Sequence, residues 1–298
     1  MTTAFLDRVA GAPCSWGICE QPDWGINLSA TRVLDELTSV GLHAIELGDD
    51  GFFPDSNDET KALLDSYGVR MLAGFVSIQL HDPSRRDEMV AEAERMARRL
   101  SGTGAEFFVS AAVADYDWRA PTPLDSVGFA DLAEGIRIVD GICATYGLTQ
   151  VLHPHLGTQV ETLRDVEMAL AATDVKWVLD TGHLYIGGTD PVWFAREHGD
   201  RVGLVHLKDV NAEIGRRRLA GEISTRQGVD MGLFPPLGQG DVPLKETVLA
   251  MEAGGYTGWY VHEQDTAIVA EPPAGTGPVE DLRSSLQFLT VDVVPAIP

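Results

Sequence analysis

Side chains that can bind a metal or move a proton recur directly after four apolar runs in the second half of the chain. These segments read VLHPH, VLDTGH, VHLKD and VHE, and their polar residues include His153, His155, Asp180, His183, His206, Lys208 and Glu263. Five of the eight histidines lie in the four segments. One such residue is typical of a helix cap, but four segments in succession indicate a shared site.

Two imidazoles and two carboxylates from these segments form a donor set of nitrogen and oxygen without a thiolate. Such a set suits Mn²⁺ or Co²⁺, and also Mg²⁺, Fe²⁺ or Zn²⁺. We predict a divalent metal site, and its predicted ligands are His153, Asp180, His206 and Glu263.

The remaining polar residues of the segments are suited to proton transfer and charge stabilisation. His155 and His183 would lie beside the metal, and an imidazole with a pKa of ~6.5 can accept or donate a proton near neutrality. Lys208 is next but one to His206, so it points to the same side of a strand and could neutralise an oxyanion. The alternative for Lys208 is a solvated or helix-capping lysine.

Eight short apolar or β-branched runs must position these residues. The predicted strands lie near residues 11–16, 43–47, 69–77, 106–111, 148–153, 175–179, 202–206 and 259–262. Segments with the 3.6-residue helical period separate many of them, at 29–40, 84–100, 129–146 and 162–172. Parallel strands need such long return connections, so we predict the α/β class and a (β/α)8 TIM barrel forming a single domain over residues 1–298. The alternative is an open doubly wound sheet, but no GxGxxG follows the first run.

Two segments depart from this alternation. Residues 211–239 carry three consecutive arginines and then the Gly/Pro-rich stretch MGLFPPLGQGD. In a barrel they form an insertion after the seventh strand, on the active-site side, and we predict an inserted loop that serves as a lid or pocket wall. A plain surface excursion is the alternative. Residues 271–298 are predicted to form a C-terminal helix at 279–289 and a loose tail.

The composition excludes several classes of partner. Among 298 residues, 45 are acidic and 22 are lysine or arginine, which gives a formal charge of −23 and disfavours nucleic acid and anionic membrane. No run of eighteen apolar residues or signal-peptide pattern occurs, and the three cysteines include no CxxC pair. We therefore expect a cytoplasmic protein with a small-molecule partner, and a homo-oligomer is left open.

Motifs along nearly the whole chain resemble those of the xylose-isomerase-like superfamily of TIM-barrel sugar isomerases, epimerases and dehydratases. They are AIELG near the second strand, Gly157-Thr158 after the paired histidines, LDTGH, HGDRVGLVHLKD, FPPLGQGDV and GYTGWYVHEQD. Within that superfamily the pattern is closest to the inosose (2-keto-myo-inositol) dehydratases.

The resemblance implies roles for individual residues. It makes Asp180, His206 and Glu263 metal ligands and places Glu46 on the far side of the pocket. Many members have a glutamate where His153 stands, so the fourth ligand is His153, a water or another nearby group. Substrate contacts are expected from Trp16, Thr158, His183 and Lys208, and the catalytic set is His155, Glu46, His183 and Lys208.

The expected activity is that of a metal-dependent hydro-lyase on a cyclic polyhydroxy ketone such as 2-keto-myo-inositol. His155, or Glu46 as second choice, would remove the α-proton to leave an enediolate at the metal, stabilised by Lys208. His183 or the protonated base would then release the β-hydroxyl as water. The chief alternative is a metal-dependent isomerase or epimerase; the others are a C-glycoside-cleaving lyase and a non-catalytic sugar-binding barrel.

Overall fold

A computed structural model describes residues 5–19, 21 and 24–297, and within them eight parallel strands close into a barrel in chain order. Strands β1 to β8 are Val9–Gly11, Ala44–Glu46, Arg70–Ile78, Phe107–Ala112, Thr149–Leu152, Lys176–Asp180, Val202–Leu207 and Tyr260–His262. The barrel closes where β1 pairs with β8, with Gly11 opposite His262. The predicted TIM barrel is confirmed.

Helices follow the strands and form the outer layer. Helices α1 to α11 are Ala30–Ser39, Asn57–Tyr67, Arg86–Thr103, Ser126–Thr145, Leu163–Ala172, Thr181–Ile186, Pro191–His198, Ala212–Leu219, Thr225–Asp230, Leu244–Ala253 and Pro278–Phe288. The four helices predicted from periodicity at 29–40, 84–100, 129–146 and 162–172 correspond to α1, α3, α4 and α5. No helix in the described ranges combines the length and apolarity that a membrane crossing requires.

Capping residues fix where several of the helices begin and end. The side chain of Ser29 accepts the amide of Arg32 at the start of α1, and Thr162 forms a capping box with Asp165 at α5. Gly68 ends α2 with a φ of 64° and Gly104 ends α3 with a φ of 87°. These left-handed conformations strain residues with a Cβ, so glycine sets the point at which each helix stops.

The first strand is shorter than predicted. The run at 11–16 is not a strand, because β1 ends at Gly11 and Pro13–Trp16 forms a 3₁₀-helix. Pro13 has no amide hydrogen to donate to a ladder, and its fixed φ suits the first turn of a helix. This turn directs Trp16 away from the barrel mouth and into the packed core.

The segment at 211–239 follows β7, as expected, but much of it is helical. It forms α8 and α9, and then the turn that leads to α10. Its basic run lies on α8, where Arg216 pairs with Glu213, Arg217 with Glu222 and Arg218 with Glu161. The function of this segment as a lid stays a prediction.

The expected loose tail is wrong for the residues that the structure describes. After α11 the chain continues as a π-helical turn, Leu289–Val293, and a 3₁₀ turn, Val294–Ala296. Leu289, Val293 and Val294 are buried against the core. Apolar burial therefore fixes a segment whose short, Pro-containing sequence shows no clear helical period.

Candidate active site

The four predicted metal ligands lie together at the carboxyl ends of the strands. Asp180 ends β6 and pairs in register with His206 on β7, while His153 follows β5 and Glu263 follows β8. One donor atom from each residue can be chosen so that all four lie within 4.8 Å of one another, and all four residues are buried. Ligand atoms about 2 Å from one ion lie within roughly 4 Å of each other, so small side-chain shifts would complete a site.

The contacts within this group show that its donor atoms converge. Oδ2 of Asp180 lies 3.3 Å from Nε2 of His153 and 3.7 Å from Nδ1 of His206. Oε2 of Glu263 lies 2.9 Å from Nδ1 of His206. The buried Nδ1 of His153 has no hydrogen-bond partner among the described residues. Two imidazoles and two carboxylates that converge in a buried place fit a divalent cation.

The electrostatics of the group point to the same conclusion. Burial alone would lower the pKa of His206, but Glu46 and Glu263 raise it well above its ordinary value. Nε2 of His206 lies 3.1 Å from Oε1 of Glu46. The carboxylates thus stabilise a positive charge at the centre of the group, which is the charge that a divalent ion would supply.

Asp180 has a second function in the fold. Its Oδ1 accepts the amide hydrogen of His183 at 2.7 Å and thereby caps α6, while its Oδ2 faces the histidines of the ligand group. Burial raises the pKa of Asp180 to about 7. One carboxylate therefore joins the candidate metal site to the helix turn that carries His183.

His155 and His183 lie side by side at the pocket, with ring centroids 4.0 Å apart. Nδ1 of His155 lies 2.8 Å from the carbonyl oxygen of Leu156, so Nδ1 is the protonated nitrogen of the neutral ring. Burial, followed by the electrostatic effects of the neighbouring His153 and of the Lys208 ammonium, lowers the pKa of His155 to about 3. His155 is therefore neutral at pH 7, with the lone pair on Nε2.

Lys208 is fully buried at the floor of the site. Its Nζ donates to Oδ2 of Asp265 at 2.7 Å and lies 3.4 Å from Oε2 of Glu263. Burial lowers the pKa of Lys208, but Asp265 and Glu263 raise it more, so the pKa is well above its ordinary value. Because the charged ammonium only donates, its 3.0 Å contact makes Nε2 of His183 the acceptor.

A pocket with a volume of about 160 Å³ opens onto this cluster. Residues that line it include Glu46, His155, His183, Thr225, Glu263 and Asp265. Thr225 belongs to the segment 211–239 that follows β7, and Phe234 of the same segment packs against Lys208, whose Nζ lies 4.9 Å from the ring centroid. Residues of this segment therefore contribute to the walls of the site.

Of the four predicted substrate contacts, His183 lines the pocket, whereas Trp16, Thr158 and Lys208 are not among its described lining residues. Trp16 is fully buried, and its Nε1 donates to Oε2 of Glu36 at 2.9 Å. Thr158 is also buried, and its hydroxyl donates to the carbonyl oxygen of His155 at 2.8 Å. The expectation that Trp16 and Thr158 touch a substrate is corrected, since the first packs in the core and the second supports the loop of His155.

Cys14 and Asp265, which have no predicted function, also line the pocket. Sγ of Cys14 lies 3.5 Å from Oε1 of Glu263, and Asp265 binds Lys208. Asp265 follows Glu263 by two residues, the same spacing by which Lys208 follows His206. That spacing could have identified Asp265, whereas nothing in the sequence around Cys14 distinguishes it.

Asp209 holds the turn that contains Phe234. Its Oδ2 accepts the amides of Gly238 and Gly240, at 2.8 and 2.9 Å, and its Oδ1 accepts those of Val210 and Val242, at 2.9 and 3.2 Å. A Cβ on Gly240 would lie 2.3 Å from Oδ1 of Asp209, so only glycine permits this approach. Four backbone donors thus depend on one buried carboxylate.

We expect Asp209→Ala to lower the free energy of unfolding by about 2–4 kcal/mol, because it leaves buried amide donors without an acceptor. Guanidinium unfolding would measure the loss. Asp125→Ala is the matched control, since Asp125 caps α4 from an exposed position and its loss should cost about 1 kcal/mol. Equal losses in the two variants would contradict the structural role of Asp209.

Comparison with known proteins agrees with the barrel. A family model described as "Xylose isomerase-like TIM barrel" matches residues 34–290. The chain belongs to this family. An inosose dehydratase of Geobacillus kaustophilus is 29% identical over 278 residues, which cover 88% of this chain and 89% of the relative.

Solved structures share the fold at low sequence identity. An L-ribulose 3-epimerase superposes with a TM-score of 0.70 at 15% identity, over 97% of this chain and 95% of the other. An IolI protein with a bound zinc atom superposes with a TM-score of 0.69 at 16% identity, over 98% and 99%. These two superpositions agree with the TIM-barrel fold of this chain.

Proposed function

We propose that this protein is a metal-dependent dehydratase acting on a cyclic polyhydroxy ketone such as 2-keto-myo-inositol. The observation that carries the proposal is the buried four-residue group that could hold a metal, with the ring of His155 beside it and its Nδ1 turned to a backbone carbonyl. The similarity to an inosose dehydratase over most of both chains supports the substrate class.

The residues that would hold the metal are His153, Asp180, His206 and Glu263. A divalent ion bound there would polarise the ketone of the substrate and lower the cost of forming an enediolate. We expect Mn²⁺ or Co²⁺, with Mg²⁺, Fe²⁺ and Zn²⁺ as the alternatives, because the donors are nitrogen and oxygen atoms. The zinc atom in the IolI protein supports the presence of a divalent ion.

His155 is the proposed base. Its Nδ1 donates to the carbonyl of Leu156, which leaves Nε2 as an acceptor for the α-proton of a ketone in the pocket. The C–H bond then breaks and its electron pair forms the enediolate, whose negative charge the buried ammonium of Lys208 helps to stabilise. Glu46 is the second choice, since it lines the pocket but is held by His206.

The same His155 would supply the proton that releases water. His183 accepts a hydrogen bond from Lys208 at Nε2, so its own proton lies on Nδ1. The protonated His155 would then donate to the β-hydroxyl. As the C–O bond breaks and water leaves, the carbonyl re-forms and the electrons of the enediolate double bond form the α,β double bond, so that one residue serves as base and then acid. His183 lines the pocket and would orient the substrate, and Lys208 fixes the ring of His183 through the hydrogen bond at Nε2.

An isomerase or epimerase is the second candidate. It would share proton removal but return the proton to the enediolate carbon, and a change of configuration needs a second proton carrier. Glu46, a carboxylate that lines the same pocket, is the observation that favours this alternative.

The test is an assay of the Mn²⁺-loaded protein with 2-keto-myo-inositol, following the absorbance of the dehydrated diketone. We expect product to accumulate with metal and not after chelation. Exchange of the α-proton with deuterated solvent without any diketone would favour the epimerase instead. A metal-loaded protein that gives neither product nor exchange would refute both candidates for this substrate.

A further inference from the structure

The ammonium of Lys208 is enclosed on every side that the structure describes. Asp265 accepts its shortest hydrogen bond, His183 accepts a second, Glu263 lies 3.4 Å away, and the ring of Phe234 covers it. The ammonium is therefore already paired with a carboxylate of the protein.

Asp265 stands between Lys208 and the pocket. The side chain of Lys208 is 0% exposed and does not line the pocket, whereas the side chain of Asp265 is 20% exposed and does. A ligand in the pocket would contact the carboxylate of Asp265, and this carboxylate separates it from the ammonium of Lys208.

The remaining charges of the pocket are also unfavourable to an anion. Among its described lining residues, Arg95 is the one lysine or arginine, and its Nη2 lies 2.7 Å from Oε1 of Glu92 and 3.1 Å from Oδ2 of Asp50. Asp49 adds another carboxylate to the wall. Each permanent cation at or behind the pocket wall, Arg95 and Lys208, is therefore paired with at least one carboxylate of the protein.

We propose that Asp265 is a specificity-determining residue, whose carboxylate occupies the place that an anionic substrate group would take beside Lys208. It restricts the pocket to uncharged polyols and excludes substrates that carry a carboxylate or a phosphate. This inference uses the pocket of the proposed function but requires no particular reaction there, so binding alone can test it.

The experiment compares D-glucose with D-glucuronate, which differ by a hydroxymethyl group and a carboxylate on the same ring. Calorimetry on the Mn²⁺-loaded protein measures both affinities in wild type, Asp265→Ala and Asp265→Asn. Asp49→Ala is the matched control, since it removes a carboxylate from the same wall without uncovering Lys208. The double variant Asp265→Ala/Lys208→Met removes the uncovered ammonium as well.

We expect wild type to bind glucose at least about tenfold more tightly than glucuronate, because like charges at contact distance repel strongly in a poorly solvated pocket. Asp265→Ala should tighten glucuronate binding by at least about tenfold relative to glucose binding, because it removes both the charge and the side chain that covers Lys208. The gain should be absent in the double variant and smaller in Asp49→Ala. Asp265→Asn removes the charge but still fills the place beside Lys208, so its shift towards glucuronate should be smaller than that of Asp265→Ala, and it measures the effect of the charge if the alanine variant folds poorly.

Three results would overturn the proposal. The first is wild-type binding of glucuronate as tight as that of glucose. The second is a folded Asp265→Asn variant whose preference is unchanged. The third is a gain that persists without Lys208, since the anion would then be bound elsewhere. If binding changes as expected but no dehydration is found with any ketone, the proposed function fails and the role of Asp265 stands.

Discussion

Replacing His155 with alanine should lower kcat by about 10²–10⁴-fold while the protein keeps its metal. The imidazole is the proposed carrier of the α-proton, and its Nε2 is the nitrogen that the contact with Leu156 leaves without a proton. Exchange of the α-proton with deuterated solvent should stop as well, because exchange needs only the first half of the reaction.

His153→Ala is the matched control for this variant, because His153 lies two residues away and should act as a ligand. It should weaken metal binding and recover part of its activity with excess Mn²⁺. Normal exchange in His155→Ala would transfer the function of the base to Glu46 or His183. Loss of metal from both variants would instead mean that both histidines are ligands.

Chelation should abolish activity, and Asp180→Asn should prevent reloading with Mn²⁺. Asparagine keeps an oxygen that can cap α6, but it removes the negative charge that the ion requires. The measurements are metal content after dialysis and the rise in melting temperature on addition of Mn²⁺. An ion at 100 times its Kd stabilises the folded state by about 2.7 kcal/mol, and the variant should lose this increase.

Asp190→Asn is the matched control for Asp180→Asn. Asp190 also caps a helix, α7, but it is exposed and does not belong to the ligand group. It should load Mn²⁺ as wild type does. Full activity in a metal-free sample, or normal Mn²⁺ binding by Asp180→Asn, would refute the proposed centre.

The barrel could be predicted because each strand is a short apolar run, and parallel strands bring their carboxyl ends to one mouth. For that reason the strand-end positions of His153, Asp180, His206 and Glu263 predict one group, although these residues lie far apart in sequence. The structure brings these four together, as it does Glu46, His155, His183 and Lys208 around the same centre.

Side-chain direction was the part that the sequence could not supply. A single Pro13 converts the expected strand into a turn and sends Trp16 into the core, an effect of one missing donor that hydropathy does not register. Asp265 lies beyond the end of β8, and the two-residue spacing from Glu263, which matches that of Lys208 from His206, is the signal in the sequence that points to it. The proton positions on His155 and His183 depend on contacts with Leu156 and Lys208, which only the folded chain specifies.

The shared carboxylate of Asp180 makes the backbone a reporter of ion occupancy. One of its oxygens accepts the hydrogen bond of the His183 amide, and the other faces the ligand group. A cation bound at the second oxygen would withdraw negative charge from the carboxylate and so weaken the hydrogen bond at the first. The exchange rate of that single amide with solvent deuterium should therefore follow loading. The first turn of α6 then gives a signal, readable without any substrate, of whether the centre is filled.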